Sequence, residues 1–351
     1  MFQCFNVSMF HSFCSRLIEI FVPLTSSKVL TLEKTQIIFG FLLAYSYLCI
    51  MKTKKSEISV LIPNYNNVCG GLVTGLQRQA EALGISYEII VADDHSPQTE
   101  TIRENEAINA LPHCRYIVKE TNTGSAATRN FLGAQSRYPW LLFMDCDITI
   151  PDDRFLERYV NDAHEGVVNG GICIVDDDSL RHNLRYLYEK TAEPAHTAEK
   201  RQANRYHEFR STNFMIEREV FEACPFDERF TRSGYEDVLF GKMLKQQRVS
   251  VTHIDNPVMM TEFESNADYV NKIERSMRTL YTFRDELRGY SRILTFDKGI
   301  HISAVRGLIR LWHRVFGSWE RRNLCGERPC LKLFNLYRMG YYLMIEGDRR
   351  R

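Results

Sequence analysis

From Glu57 onward the sequence alternates short apolar runs, rich in β-branched residues, with longer amphipathic stretches, and this alternation restricts the fold more than any other feature. The runs are ISVLIP, YEIIVADD, RYIVKE and WLLFMD, and helix-length segments at about 71–83, 100–109 and 125–135 lie between them. Strands separated by such segments predict parallel pairing through crossover helices. The runs are nearly continuous in their apolar character, as strands covered on both faces must be. The expected fold class is therefore α/β, a mostly parallel central sheet with helices on both faces, followed by a helical C-terminal extension.

Polar residues recur at one place in this pattern. Asn64, Tyr65 and Asn66 follow the first run, Asp93 and Asp94 end the second, and Asp145 and Asp147 end the fourth. In open α/β sheets, ligands bind outside the carboxyl ends of the strands. Two charges one residue apart at the end of a buried strand need partners, supplied either by water at a solvated turn or by a divalent cation. The pattern alone is weak, because Asp176, Asp177 and Asp178 also follow an apolar run.

With 351 residues and 44% hydrophobic content, the chain can bury one large core. Its ten cysteines are scattered without Cys-x-x-Cys or zinc-type spacing, which reads as reduced thiols in a cytoplasmic protein. The formal net charge of +1 hides an asymmetry, since basic residues exceed acidic ones by about ten between positions 271 and 351. Charge alone leaves nucleic acid, a membrane surface or a phosphorylated acceptor open as the partner of this tail.

The first fifty residues differ from the rest. QIIFGFLLAYSYLCIM is uncharged but shorter than the roughly 18 to 20 residues that span a bilayer. Two readings stand. The segment is a membrane anchor, with Lys52, Lys54 and Lys55 holding the catalytic portion on the cytoplasmic face, or Met51 is the initiator and the segment is not translated. The expected division is an extension at 1–55, a catalytic domain at 56–260 and a basic helical extension at 261–351. Within the last, GIHISAVRGLIRLWHRVFGSWERR sets Ile302, Val305, Ile309 and Trp312 on one helical face with Arg306, Arg310 and Arg314 between them. Such a helix either contacts a membrane peripherally or docks on the core behind an arginine-rich outer face.

ISVLIPNYNN, EIIVADDHSP, NTGSAATRN, LLFMDCD, FDERF and YEDVLFGKML occur in the order and approximate spacing of family 2 glycosyltransferases, which residues 56–258 resemble. The resemblance implies a GT-A nucleotide-sugar-binding fold. It also implies an inverting transfer, dependent on Mn²⁺ or Mg²⁺, from a nucleoside diphosphate sugar (UDP favoured) to a glycan or lipid-linked acceptor in polysaccharide or glycoconjugate synthesis. No nucleic-acid partner is expected.

By the same resemblance Pro63, Asn64, Tyr65 and Asn66 flank the base and ribose, Asp94 accepts a hydrogen bond from the base, and Arg129 adds a cationic contact. Asp145 lies near the ribose and Asp147 reaches the metal, with His253 a further candidate ligand; hard cations prefer such oxygen donors. Asp237, beside Glu236, is implied as the general base that deprotonates the acceptor hydroxyl. Their place at the start of a helix predicts lowered carboxylate pKa values. Asn213, in STNFMI, is a candidate donor to the acceptor, and FDERF reads as structural.

Departures narrow the reading. KQQRVSV stands where processive synthases of the family carry Gln-x-x-Arg-Trp, so one sugar per encounter is expected. A sugar-nucleotide pyrophosphorylase would carry a basic glycine-rich loop after the first strand, which IPNYNNVCGG lacks, and the same turn is not the Gly-x-Gly-x-x-Gly of a dehydrogenase. A catalytically silent nucleotide-sugar-binding or scaffold protein would keep the same fold.

Overall fold

Strand β1 (Glu57–Asn64) is buried along almost its whole length, and it lies within the seven-stranded main sheet. The computed structural model describes residues 55–231, 234–299 and 303–349. The apolar segment 36–51, Met51 as an initiator, Lys52, Lys54 and Ile302 lie outside them.

In chain order β1 is followed by α1 (Gly70–Leu83), β2 (Ser86–Asp93), α2 (Thr99–Asn105), β3 (Cys114–Val118), α3 (Ser125–Gln135) and β4 (Trp140–Met144). Next come α4 (Phe155–Val160), β5 (Val167–Asn169), β6 (Ile172–Ile174), α5 (Leu184–Ala192), α6 (Ala198–Ala203) and β7 (Asn213–Glu217). Then follow α7 (Arg218–Ala223), α8 (Glu236–Gln246), β8 (Val251–His253), β9 (Val258–Met260) and α9 (Asn266–Thr282). Three helices close the described chain: α10 (Arg292–Gly299), α11 (Ser303–Leu324) and α12 (Leu331–Arg349).

The main sheet has the order β3-β2-β1-β4-β7-β5-β8, and β6 pairs with β9 apart from it. All neighbours in the main sheet run parallel except β7, which is antiparallel to both β4 and β5. The expected α/β architecture is therefore present. Asn213 to Ile216 of STNFMI form most of this antiparallel strand.

Side-chain alternation explains why the strands are apolar throughout. Leu61, Ile90, Leu141 and Phe143 point into one cluster, while Val60, Ile62, Ile89, Val91 and Leu142 point into another on the opposite face. Each fully buried side chain of this kind contributes about 1.5–3 kcal/mol. The first cluster continues across residue 260 without a break, through Tyr269, Val270, Met277 and Leu280 of α9 to Phe334 and Tyr337 of α12. Phe226 and Phe230 of FDERF are buried in it, and Phe230 stacks on Phe283 with ring centroids 4.0 Å apart.

Local chemistry sets the helix ends. α1 stops at Gly84, whose left-handed φ of 61° lets its amide reach the Glu81 carbonyl. α9 begins with a reciprocal cap, the Ser265 hydroxyl accepting from the Asp268 amide and donating to the Asp268 carboxylate at 2.6 Å. The polar stretch at 180–204, helical by its sequence pattern, is broken, because Pro194 and the Asn183 and Thr197 caps divide it into α5, α6 and short turns.

Candidate active site

The carboxyl ends of β1, β2 and β4 open into a cleft of about 1010 Å³. It brings together Pro63 and Asn64 at the end of β1 and Tyr65 just after it, Asp94 after β2, Arg129 on α3, Asp145 and Asp147 after β4, and Glu236 and Asp237 at the start of α8. Ser211 and Thr212, just before β7, also face it. Three sequence-predicted residues are not in its lining.

Asn66 turns away behind the rim, its backbone at φ 58° and its amide donating to Ser96 Oγ at 2.8 Å. Asn213 is buried in the sheet, accepting from the Tyr159 hydroxyl at 2.7 Å and donating to the carbonyls of Gly171 and Asn256. With its amide spent on the core it holds β7 to the segments beside it. His253 engages both ring nitrogens, Nδ1 with Arg201 at 2.8 Å and Nε2 with the Arg205 carbonyl at 2.8 Å. Burial lowers its pKa to about 4, so it is a neutral, fully partnered strand histidine.

At the β2 end of the cleft, Asp94 is gripped by the loop after β3. Its Oδ1 accepts from Lys119 Nζ at 2.7 Å and from the Thr123 amide at 3.0 Å, and its Oδ2 accepts from the Gly124 amide at 2.7 Å. Burial pushes its pKa up, but Lys119 and the two amides outweigh burial and hold the carboxyl below its usual range. Oδ1 is saturated; Oδ2 keeps room for one more donor from the cleft. Gly124 is required here, because at φ 91° an added Cβ would lie 2.7 Å from the Thr231 carbonyl oxygen. Tyr65 stands 47% exposed at the rim, an unburied aromatic plane in the same cleft as Asp94.

Arg129 is not free to meet a ligand as the sequence suggested. Only 4% of its side chain is exposed, its Nη2 is bonded to Asp145 Oδ1 at 2.6 Å, and its guanidinium lies over the Phe226 ring. It works through Asp145 by fixing that carboxylate. Asp147, by contrast, has its pKa raised by burial and by Asp145, against the weaker pull of Arg185 and Lys272. Cys146 between them is free, and burial pushes its thiol up, so it stays protonated.

Among the described residues no cluster of three or more His, Cys, Asp or Glu side chains could hold a metal alone. A pair of mutually repelling carboxylates still fits a divalent cation that takes its other oxygens from phosphate and water. Asp147 would hold it with Asp145 alongside.

The acid pair divides into a fixed and an available member. Glu236 accepts from Ser125 Oγ at 2.8 Å and from the Gly234 amide at 2.6 Å. Asp237 accepts only from the Val238 amide at 2.8 Å among the described residues. A helix start taken alone lowers a carboxylate pKa, and the structure reverses that expectation. Burial, with Glu236 next to it, raises Asp237 to about 6, and Arg210 and Arg129 offset this only in part. A carboxylate of that basicity can accept a proton near neutral pH.

One wall of the cleft was not foreseen from the sequence. The helix that begins near Ala267, a surface helix by its pattern, is α9, and it lines the cleft with Asn271, Lys272, Glu274, Arg275 and Arg278. The excess of basic residues after position 271 was the available signal. Lys119 was missed as well, although it follows a strand of the sheet as the other site residues do.

Residues 59–224 match the family model described as glycosyl transferase family 2. A protein of Haemophilus influenzae described as an uncharacterized glycosyltransferase is 29% identical over 92 residues, 26% of this chain; the chain spans only 29% of that relative's length. Among solved structures, the mannosyltransferase PcManGT from Pyrobaculum calidifontis, in complex with GDP-Man and Mn²⁺, is 13% identical with a TM-score of 0.49, covering 90% of this chain and 96% of that one. TarS 1–349 from S. aureus, in complex with UDP-GlcNAc, is 17% identical with a TM-score of 0.43, covering 84% and 92%.

Proposed function

We propose that this chain acts as the glycosyl transferase family 2 model matched by residues 59–224 implies, moving a sugar from a nucleoside diphosphate sugar, UDP preferred, to a hydroxyl of a glycan or lipid-linked acceptor. The observation that carries this reading is Asp237: a carboxylate with pKa about 6 in the same cleft as the Asp145 and Asp147 pair and Asp94.

The roles follow from the partners already taken. Tyr65 stacks on the base and Asp94 Oδ2 accepts from it, with Lys119 and the glycine amide holding that carboxylate in place. Asp145, locked by Arg129, faces the ribose. Asp147 would bind Mn²⁺ or Mg²⁺, which supplies charge neutralisation for the departing diphosphate. Lys272 and Arg275 of α9 add positive charge on the far wall.

Asp237 takes the proton of the acceptor hydroxyl. The acceptor oxygen forms its bond to the anomeric carbon as the bond to the diphosphate oxygen breaks, and the electron pair leaves with the nucleoside diphosphate. A single in-line displacement inverts the configuration. Glu236, already bonded twice, positions the start of α8. The absence of Gln-x-x-Arg-Trp after α8 supports addition of one sugar per encounter.

The test is calorimetric titration of the protein with UDP and with GDP, each with Mn²⁺ and with excess chelator, followed by a transfer assay with the sugar forms of whichever binds. Metal-dependent UDP binding and inverted product support the reading. Failure of both nucleotides to bind would remove the donor assignment, and binding without transfer to any glycan would leave a silent binding protein.

A further inference from the structure

The sequence of helix α11 allows it either to lie on a membrane or to dock on the core with its arginines outward. It docks, but with its faces exchanged. Its inward side is carried by Ile309, His313, Glu320 and Leu324, with His313 Nδ1 and Glu320 Oε2 2.7 Å apart in the buried contact with α12. Two of its arginines are tied back to the protein, Arg306 to Asp297 and Glu346, and Arg321 to Glu274 and Asn271. The apolar side faces outward instead. Leu308, Leu311, Val315 and Trp319 are 64%, 57%, 61% and 54% exposed, and Trp312 and Phe316 are 41% exposed each.

At 100° per residue these six fall on one stripe along the helix, and a soluble surface rarely leaves such a contiguous patch uncovered. We propose that this stripe docks on the surface of an anionic lipid bilayer, with α11 lying in the plane of the interface.

Charge identifies the occupant. Glu320 is the only acid in α11 and is fully buried, so every exposed charge on the helix is positive, Arg310 and Arg322 among them. Exposed Phe296 and Lys298 of α10 repeat the combination nearby. A second copy meeting the same patch across a two-fold axis would set these cations against one another, whereas anionic headgroups complement them. Tryptophans beside basic residues suit the boundary between headgroup and acyl chain. Trp312 is aimed for that place, its indole Nε1 donating to Glu320 at 2.9 Å so that the ring is held along the helix. Among the described residues no helix is long and apolar enough to cross a membrane. Arg321 joins α11 to Glu274 on the cleft wall, so the bilayer contact sits one helix away from the candidate active site.

The test uses the full chain in co-sedimentation with vesicles of phosphatidylcholine alone or mixed with phosphatidylglycerol, at low and high salt. Two of the three tryptophans lie on the stripe, so emission reports directly on its burial. Expected are pelleting with the mixed vesicles, a blue shift of emission, and weakening by salt. Leu308→Glu with Val315→Glu should lower partitioning at least tenfold, and Arg322→Glu should lower it severalfold on anionic vesicles only. Thermal melts of both should match the parent, since Leu308, Val315 and Arg322 are exposed; if the first variant does not fold, Trp319→Ser is read in the same way.

Undiminished pelleting of the glutamate variant would overturn the proposal by placing the contact elsewhere. So would failure to bind either vesicle, or a stable dimer that the glutamate variant dissolves.

Discussion

Arg129 and Asp145 are joined at 2.6 Å, a buried guanidinium on a partly exposed carboxylate, while Asp147 two residues on carries a raised pKa. The two aspartates of one short motif therefore stand in opposite electrostatic situations. Removing Asp145 leaves a buried cation unpaired, and Asp145→Ala should cost about 3 kcal/mol of stability. Removing Asp147 relieves repulsion, so Asp147→Ala should leave stability unchanged or raise it while abolishing Mn²⁺-dependent nucleotide affinity. Urea denaturation of both variants at neutral pH checks this; equal losses would contradict the assignment of Arg129 to Asp145 alone.

In the proposed role, Asp237 sets the acid limb of activity. With its carboxyl at about 6, kcat/KM should fall tenfold per pH unit below that value, and Asp237→Asn should reduce transfer by about a thousandfold or more with donor affinity preserved. The same shift has a stability sign. The folded state holds this proton more tightly than the unfolded chain does, so ionisation penalises the fold, fully above pH 6 and not at all below about pH 4. Asp237→Asn should thus be more stable than the parent at pH 8 by about 1 kcal/mol, a figure reduced for its partial exposure, and equal to it in acid. Melting temperatures across that range decide the point.

Asp94 shows the opposite sign. Its lowered pKa contributes stability that is complete above the ordinary carboxylate value of 3.8 and is lost as pH falls through the folded value. Asp94→Asn should cost about 1–2 kcal/mol at neutral pH, a loss that shrinks below about pH 4. Nucleotide affinity should fall with it, because the loop at 119–124 loses its anchor. Chemical denaturation at the two pH values, with a nucleotide titration at the higher, measures both effects.

Gly124 and Gly84 separate backbone strain from steric contact. Both have positive φ, 91° and 61°, but a Cβ at Gly84 meets nothing within 4 Å while one at Gly124 meets the Thr231 carbonyl at 2.7 Å. Gly84→Ala should cost about 1 kcal/mol, and Gly124→Ala should cost about 3 kcal/mol or more and weaken nucleotide binding as well. Similar melting temperatures for the two variants would argue against close packing of the 231 segment on α3.

The sheet was legible because both faces are buried, so WLLFM and YEIIVAD could be nothing but interior strands, and their ends located the acidic residues. What stayed hidden was partnering across distance. Arg129 looks like a surface helix charge until β4 brings Asp145 to it, and the pKa of Asp237 follows from desolvation, which a helix-terminus argument omits. Asn213 and His253 look like site residues one at a time, and only tertiary structure shows that neighbours already occupy them. α9 is legible as a helix, but no periodicity states which cavity a helix will wall.

Helix α3 touches three of the cleft's carboxylates at once, through the Gly124 amide at its N-cap to Asp94, Ser125 Oγ to Glu236 and Arg129 to Asp145. It behaves as a ruler: the register of one rod sets the spacing of Asp94, Glu236 and Asp145, and a single residue inserted between Gly124 and Arg129 would misalign all three. The opposite wall, α9, carries no such shared measurement. Side chains of α9 can therefore be exchanged without disturbing the spacing that α3 sets among these carboxylates, so one wall of the cleft is free to vary while the other is not.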